Sequence, residues 1–122
     1  MKFKDYFSNN FETEDNHYLP SIRTRYYRNR VEEAKEAVVQ YIKSIKGRVL
    51  DDNEQFNELL FEVPSFNCTV TFTAITPAEV SIDFNVVTFS LFPMGKGKKI
   101  IEEMYQYLDR MLQYKGVGLY KG

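Results

Sequence analysis

Few side chains in this 122-residue sequence are of the kinds that move protons, attack carbonyls or hold metals, and their spacing works against all three. His17 is the only histidine and Cys68 the only cysteine. A structural zinc site needs several nitrogen or sulfur ligands, and a histidine-based triad needs an imidazole held between a nucleophile and a third group. Neither can be assembled from one chain with this composition. His17 lies in a polar stretch and reads as a surface residue. Cys68 alternates with Val70 and Phe72, which predicts a core position, where a thiol behaves as a small hydrophobe and not as a nucleophile. Asp51, Asp52 and Glu54 bring carboxylates together without the ladder of oxygen ligands that a calcium loop requires, so a solvated hairpin turn is expected there. No catalytic residue, metal or cofactor is expected, and an enzyme is the least supported class.

The remaining candidates bind without reacting. "PMGKGKK" lacks the spacing of a phosphate loop. Its Lys96, Lys98 and Lys99 flank the first amides of a predicted helix and form the candidate anion site, with a soluble turn as the plainer reading. "SIRTRYYRNR", residues 21–30, packs four arginines and two tyrosines into ten positions. The net charge of −1 argues against a general polyanion binder but leaves room for a local basic patch.

The elements that must position these residues follow from periodicity. Residues 22–28 are rich in strand formers. Alternation places Ile22, Thr24 and Tyr26 on one face and Arg23, Arg25 and Tyr27 on the other, outward one. Asn29 reads as a helix cap with Glu32 completing a capping box. Val31, Ala34, Val38, Tyr41, Ile42 and Ile45 then mark one face of a helix over about 30–46, ended at Gly47. "RVLDD", "FNELLFEV" and "NCTVTFTAI" are three strands. In the last, Cys68, Val70, Phe72 and Ala74 face inward, and Asn67, Thr69, Thr71 and Thr73 face outward. A fourth strand, "VSIDFNVVTFSLF", alternates through Val80, Ile82, Phe84 and Val86, then slips in phase to Val87, Phe89 and Leu91, which predicts a β-bulge or a far end covered on its other side. A second helix over about 96–115 buries Ile101, Met104, Leu108, Met111 and Leu112, and Gly116 ends it. Residues 1–20 read as an N-terminal appendage, with a short helix suggested by Phe3, Tyr6, Phe7 and Phe11. Residues 21–122 form a single α+β domain, with Leu119 and Tyr120 docking its tail. The lone cysteine and the absence of an apolar run long enough for a leader or a membrane span point to the cytoplasm.

The predicted order is β-α-β-β-β-β-α, an antiparallel sheet with both helices packed on one face and the first strand beside the last. In element order this resembles the TATA-binding-protein-like fold, also the core of the helix-grip proteins. The resemblance implies a curved sheet that binds through its open face or beneath its last helix. Within that frame the open face carries Arg23, Arg25, Tyr27, Thr69, Thr71, Thr73, Ser81, Asp83 and Asn85. Either this is a wet face on which Arg23 and Arg25 balance Asp83 near Glu58 and Glu62, or it is a surface for a protein partner or a second copy. Nucleic acid is disfavoured by the carboxylates. A hydrophobic or amphipathic small ligand would instead sit between sheet and last helix, among Tyr26, Phe61, Phe72, Phe84, Met104, Tyr107 and Met111. The expected function is a non-catalytic binding or assembly module using the open sheet face, with ligand carriage and weak nucleic-acid binding as alternatives.

Overall fold

A computed structural model of the chain describes residues 10–13, 23–89 and 96–117. In chain order its elements are β1 (Asn10–Glu12), β2 (Arg25–Tyr27), α1 (Val31–Ser44), β3 (Arg48–Asn53), β4 (Glu58–Val63), β5 (Phe66–Thr76), β6 (Glu79–Thr88), α2 (Lys96–Met111) and β7 (Tyr114–Val117). The strands form one seven-stranded sheet in the order β3-β4-β5-β6-β2-β7, with β1 also paired to β6. Every pairing is antiparallel. The class is α+β, an open antiparallel sheet with two helices among the described residues.

Alternation in β5 and β6 builds the core. Cys68, Val70 and Phe72 lie opposite Val86, Phe84 and Ile82, and all six are buried. Leu59 and Phe61 of β4 join them, as do Ala34, Ala37, Val38, Tyr41 and Ile42 of α1 and Ile101, Met104, Tyr105 and Leu108 of α2. Both helices therefore pack on the same, inner face. Burying each of the larger aliphatic or aromatic side chains stabilises the fold by about 1.5–3 kcal/mol.

Several expectations need correction. The cap of α1 is Arg30, whose N–H donates to Glu33 Oε1 at 2.9 Å. The Asn29 side chain instead accepts from the Gln113 N–H at 2.7 Å, so it ties the start of α1 to the exit of α2. The contact with the neighbouring chain segment wins over the local cap. Helix α1 ends one turn short of Gly47: Lys46 takes a left-handed φ of 58°, and a Cβ at Gly47 would come within 3.0 Å of Ile42 Cγ2. Helix α2 ends at Met111, not 115, because Tyr114–Val117 straightens into β7 and pairs with β2. That strand takes the edge position expected for the first strand. The phase slip in β6 is not a bulge. Its register with β5 is unbroken from Val80 to Thr88, and the irregularity falls in β5 between Ala74 and Thr76. Thr88 continues the inner face, and Phe89 lies beyond the strand, exposed. Part of the expected appendage is a strand of the sheet, since residues 10–12 pair with β6. Phe11 is in that strand; Phe3, Tyr6, Phe7, His17, Ile22, Leu91, Leu119 and Tyr120 lie outside the described residues.

Candidate functional site

The largest correction concerns β2. Arg25 is paired with Ile82 and Tyr27 with Val80, both inner-face residues of β6, so Arg25 and Tyr27 point toward the helices. Neither belongs to the open face. Tyr27 is fully buried. The alternation that sets the expected parity starts at Ile22, which lies outside the described residues. In a strand of only three residues the choice is made by partners, and those partners are on the inner side. The Arg25 guanidinium pairs with Asp109 of α2, lies 4.6 Å from the Tyr105 ring centroid and 5.3 Å from that of Tyr114. The Tyr27 hydroxyl donates to the other Asp109 oxygen at 2.8 Å. Planar stacking between rings and a carboxylate partner is the environment a half-desolvated guanidinium tolerates best. Its Nε nevertheless has no partner among the described residues.

These contacts fix the electrostatics of the corner. Burial, then the hydrogen bond to Asp109, pushes the Tyr27 phenol well above its ordinary value. Burial does the same for Tyr105, whose hydroxyl donates to the Ile82 carbonyl at 2.8 Å. Tyr41 is pushed up to about 12, chiefly by burial. Burial also raises the Cys68 thiol. All four shifts favour the protonated form and so oppose nucleophilic or basic roles at neutral pH.

The outer face is built from Glu58, Leu60 and Glu62 of β4, Asn67, Thr69, Thr71 and Thr73 of β5, and Ser81, Asp83, Asn85 and Val87 of β6, with Tyr26 from β2. Thr69, Thr71, Asp83 and Asn85 are half-buried, Thr73 is exposed and Ser81 is buried. Arg23, just before β2, is half-buried. Asp83 sits where β1 and β2 abut along one side of β6. Its Oδ1 accepts from the Thr13 hydroxyl at 2.6 Å and the Thr24 hydroxyl at 2.5 Å. Thr13 also closes the ladder, donating from its N–H to the Phe84 carbonyl and accepting the Phe84 N–H on Oγ1. The expected Arg25–Asp83 pair is absent because Arg25 faces the other side. Asn85 Oδ1 is buried without a partner among the described residues.

The expected pocket does not assemble as one group. Phe61, Phe72, Phe84 and Met104 are buried in the core, with Phe84 packed on Tyr105 at 4.8 Å. Tyr107 is half-buried against Tyr41 at 5.2 Å. Tyr26 is on the outer face and Met111 is 54 % exposed, beside a small cleft between the helices. Of the lysines, Lys98 pairs with Glu102 at 2.9 Å one turn along the helix. Lys96 and Lys99 instead border a cleft of about 410 Å³ with Pro64, Ser65, Thr88, Phe89, Ile100 and Glu103.

Sequence reasoning missed Asp109, Tyr105, Tyr114, Thr13 and Thr24. Tyr105 was legible: Ile101, Met104, Tyr105 and Leu108 follow the i, i+3, i+4, i+7 rule. Asp109, one residue past Leu108, carried no signal without its partner. Among the described residues no group of three or more His, Cys, Asp or Glu is placed to hold a metal ion, and no helix is long and apolar enough to cross a membrane. No family model matches the chain, and no curated protein or solved structure is detectably similar to it.

Proposed function

We propose that the protein is a non-catalytic binding or assembly module that meets a protein partner through the outer face of its sheet. One observation carries this reading: among the described residues both helices pack on the inner face, and the row Thr69, Thr71 and Thr73 lies half-buried to exposed on the other side. Threonine hydroxyls, Leu60 and Tyr26 offer mixed hydrogen-bonding and apolar contact of the kind protein interfaces use. Glu58, Glu62 and Asp83 on the same face repel phosphate and weigh against nucleic acid. Element order over residues 22–115 favours a TATA-binding-protein-like or helix-grip arrangement, which implies binding through the open face or beneath the last helix. The raised tyrosine and cysteine protonation equilibria weigh against nucleophilic or basic roles for Tyr27 and Cys68.

The test is site-specific photocrosslinking in the native host. A photoreactive residue at Thr73 should yield a discrete crosslinked product, whereas the same residue at Glu36, exposed on α1, should not. Identical labelling from both positions, or none from either, refutes the reading.

A second reading has its own observation. The cleft beside Lys96 and Lys99 joins cationic side chains to the apolar surfaces of Phe89, Pro64 and Ile100. That pairing suits a small amphipathic anion. Titration with anilinonaphthalene sulfonate should give saturable fluorescence that Lys99→Glu weakens severalfold; an unchanged titration removes this alternative.

A further inference from the structure

The two sides of the sheet end differently. Beyond β2 lies β7, whose Tyr114 ring packs on Tyr27 at 5.7 Å. At the opposite side β3 pairs with β4 alone among the described residues, and no other described strand meets its outward backbone groups. All of β3 except Asn53 is exposed, including Val49 at 42 % and Leu50 at 43 %. A bare edge bearing adjacent large aliphatic side chains is a template for pairing with another chain.

Charge selects which chain. Lys46 and Arg48 stand at the start of this edge; Asp51, Asp52 and Glu54 stand at its end. Arg48 pairs with Glu62, and Asp52 with Lys35 at 2.5 Å, while Lys46, Asp51 and Glu54 make no ion pair among the described residues. We infer that β3 is a self-association edge on which a second copy of this chain docks antiparallel about a two-fold axis. Antiparallel alignment sets the basic start of each β3 against the acidic end of the other, twice by symmetry. Parallel alignment sets like charges together. Val49 and Leu50, midway along, meet their counterparts near the axis and lose their exposure. The irregularity between Val49 and Asp51 leaves Leu50 as an extra residue opposite β4 and bends the strand. The contact is therefore short, and the pair belongs with weak, reversible associations. This edge borders the outer face at Glu58, Leu60 and Glu62 but does not include Thr73, the position crosslinked above, so either reading can fail alone.

Charge swapping tests it with the full chain. Sedimentation equilibrium of the unaltered protein should give an average mass that rises with concentration toward twice the monomer and falls back in high salt. Lys46→Glu/Arg48→Glu makes the edge wholly acidic, and Asp51→Lys/Glu54→Lys makes it predominantly basic. Each variant alone should remain monomeric, and an equimolar mixture should restore the dimer. Circular dichroism of each variant establishes that it is folded. A monomer at every concentration overturns the inference. So does a dimer indifferent to both variants, which would place self-association elsewhere, or a mixture of folded variants that stays monomeric.

Discussion

The β2–β7 side of the sheet and the β3 side solve the same problem in opposite ways. At β2 a charged side chain, Arg25, is drawn inward and enclosed by Asp109, Tyr105 and Tyr114, so the margin of the sheet becomes part of the core. At β3 the charges stay outside. Arg48 and Asp52 reach sideways to Glu62 and Lys35 while the strand itself remains exposed. Ion pairs of the second kind are worth little, because water screens them and flexible side chains must be immobilised. Those of the first kind matter mainly when one partner is lost, because the other is then left desolvated and alone. The presence of an ion pair says nothing about its weight until its surroundings are known.

This contrast can be broken most sharply at Asp109. Asp109→Ala removes the acceptor of both Arg25 and the Tyr27 hydroxyl and should lower stability by about 2–3 kcal/mol, less than for a fully buried pair because both side chains keep some exposure. The midpoint of urea unfolding measures it; a midpoint unchanged from the parent would mean the corner carries no load. Alkaline pH attacks the same side, and the core at β5, next. Tyr27, Tyr105 and Cys68 are all held protonated by burial, so their folded values lie above the unfolded ones. Their contribution is full at neutral pH. It declines once the unfolded chain begins to ionise, from about pH 8.5 for the thiol and about pH 10 for the phenols, by up to about 1.4 kcal/mol per group for each pH unit beyond. A urea midpoint that stays level from pH 7 to 11 would contradict this. Tyr27→Phe should cost about 1 kcal/mol through the lost hydrogen bond and should flatten the alkaline decline. At the other side, Val49→Thr should change monomer stability by no more than about 0.5 kcal/mol, measured at a concentration too low for association. A loss as large as that of Asp109→Ala would erase the distinction between the two sides.

How much of this was readable in the sequence follows the length of the repeating pattern. In "NCTVTFTAI" the alternation of Cys68, Val70 and Phe72 with Thr69, Thr71 and Thr73 settled both the strand and its faces, because an extended run of consistent periodicity has one low-energy orientation. Helix α1 was equally plain from Val31 to Ile42. In "RYY" the same reasoning failed. Three residues give alternation nothing to average over, and the decisive contact, Asp109, stands more than eighty positions away. Asn29 misled for a similar reason: it has the chemistry of a helix cap, but the Gln113 amide claims its carbonyl oxygen. The candidate face was thus legible where it rests on β5 and β6, and misread where it leaned on β2. Thr13 and Thr24 left no mark in the local pattern, because their role exists only once β1 and β2 meet at Asp83.

That meeting point bears on how the chain is made. Thr13 and Thr24 find Asp83 across 70 and 59 positions of sequence. A ribosome delivers both threonine-bearing segments long before β6, their common partner, leaves the exit tunnel. During synthesis the first two strands have no mate, whereas β3, β4 and β5 can begin to zip as they emerge. Strands β1 and β2 therefore wait longest between emerging and gaining their hydrogen bonds, and the interval before β6 arrives is when the nascent chain is most open to chaperones and to wrong pairing.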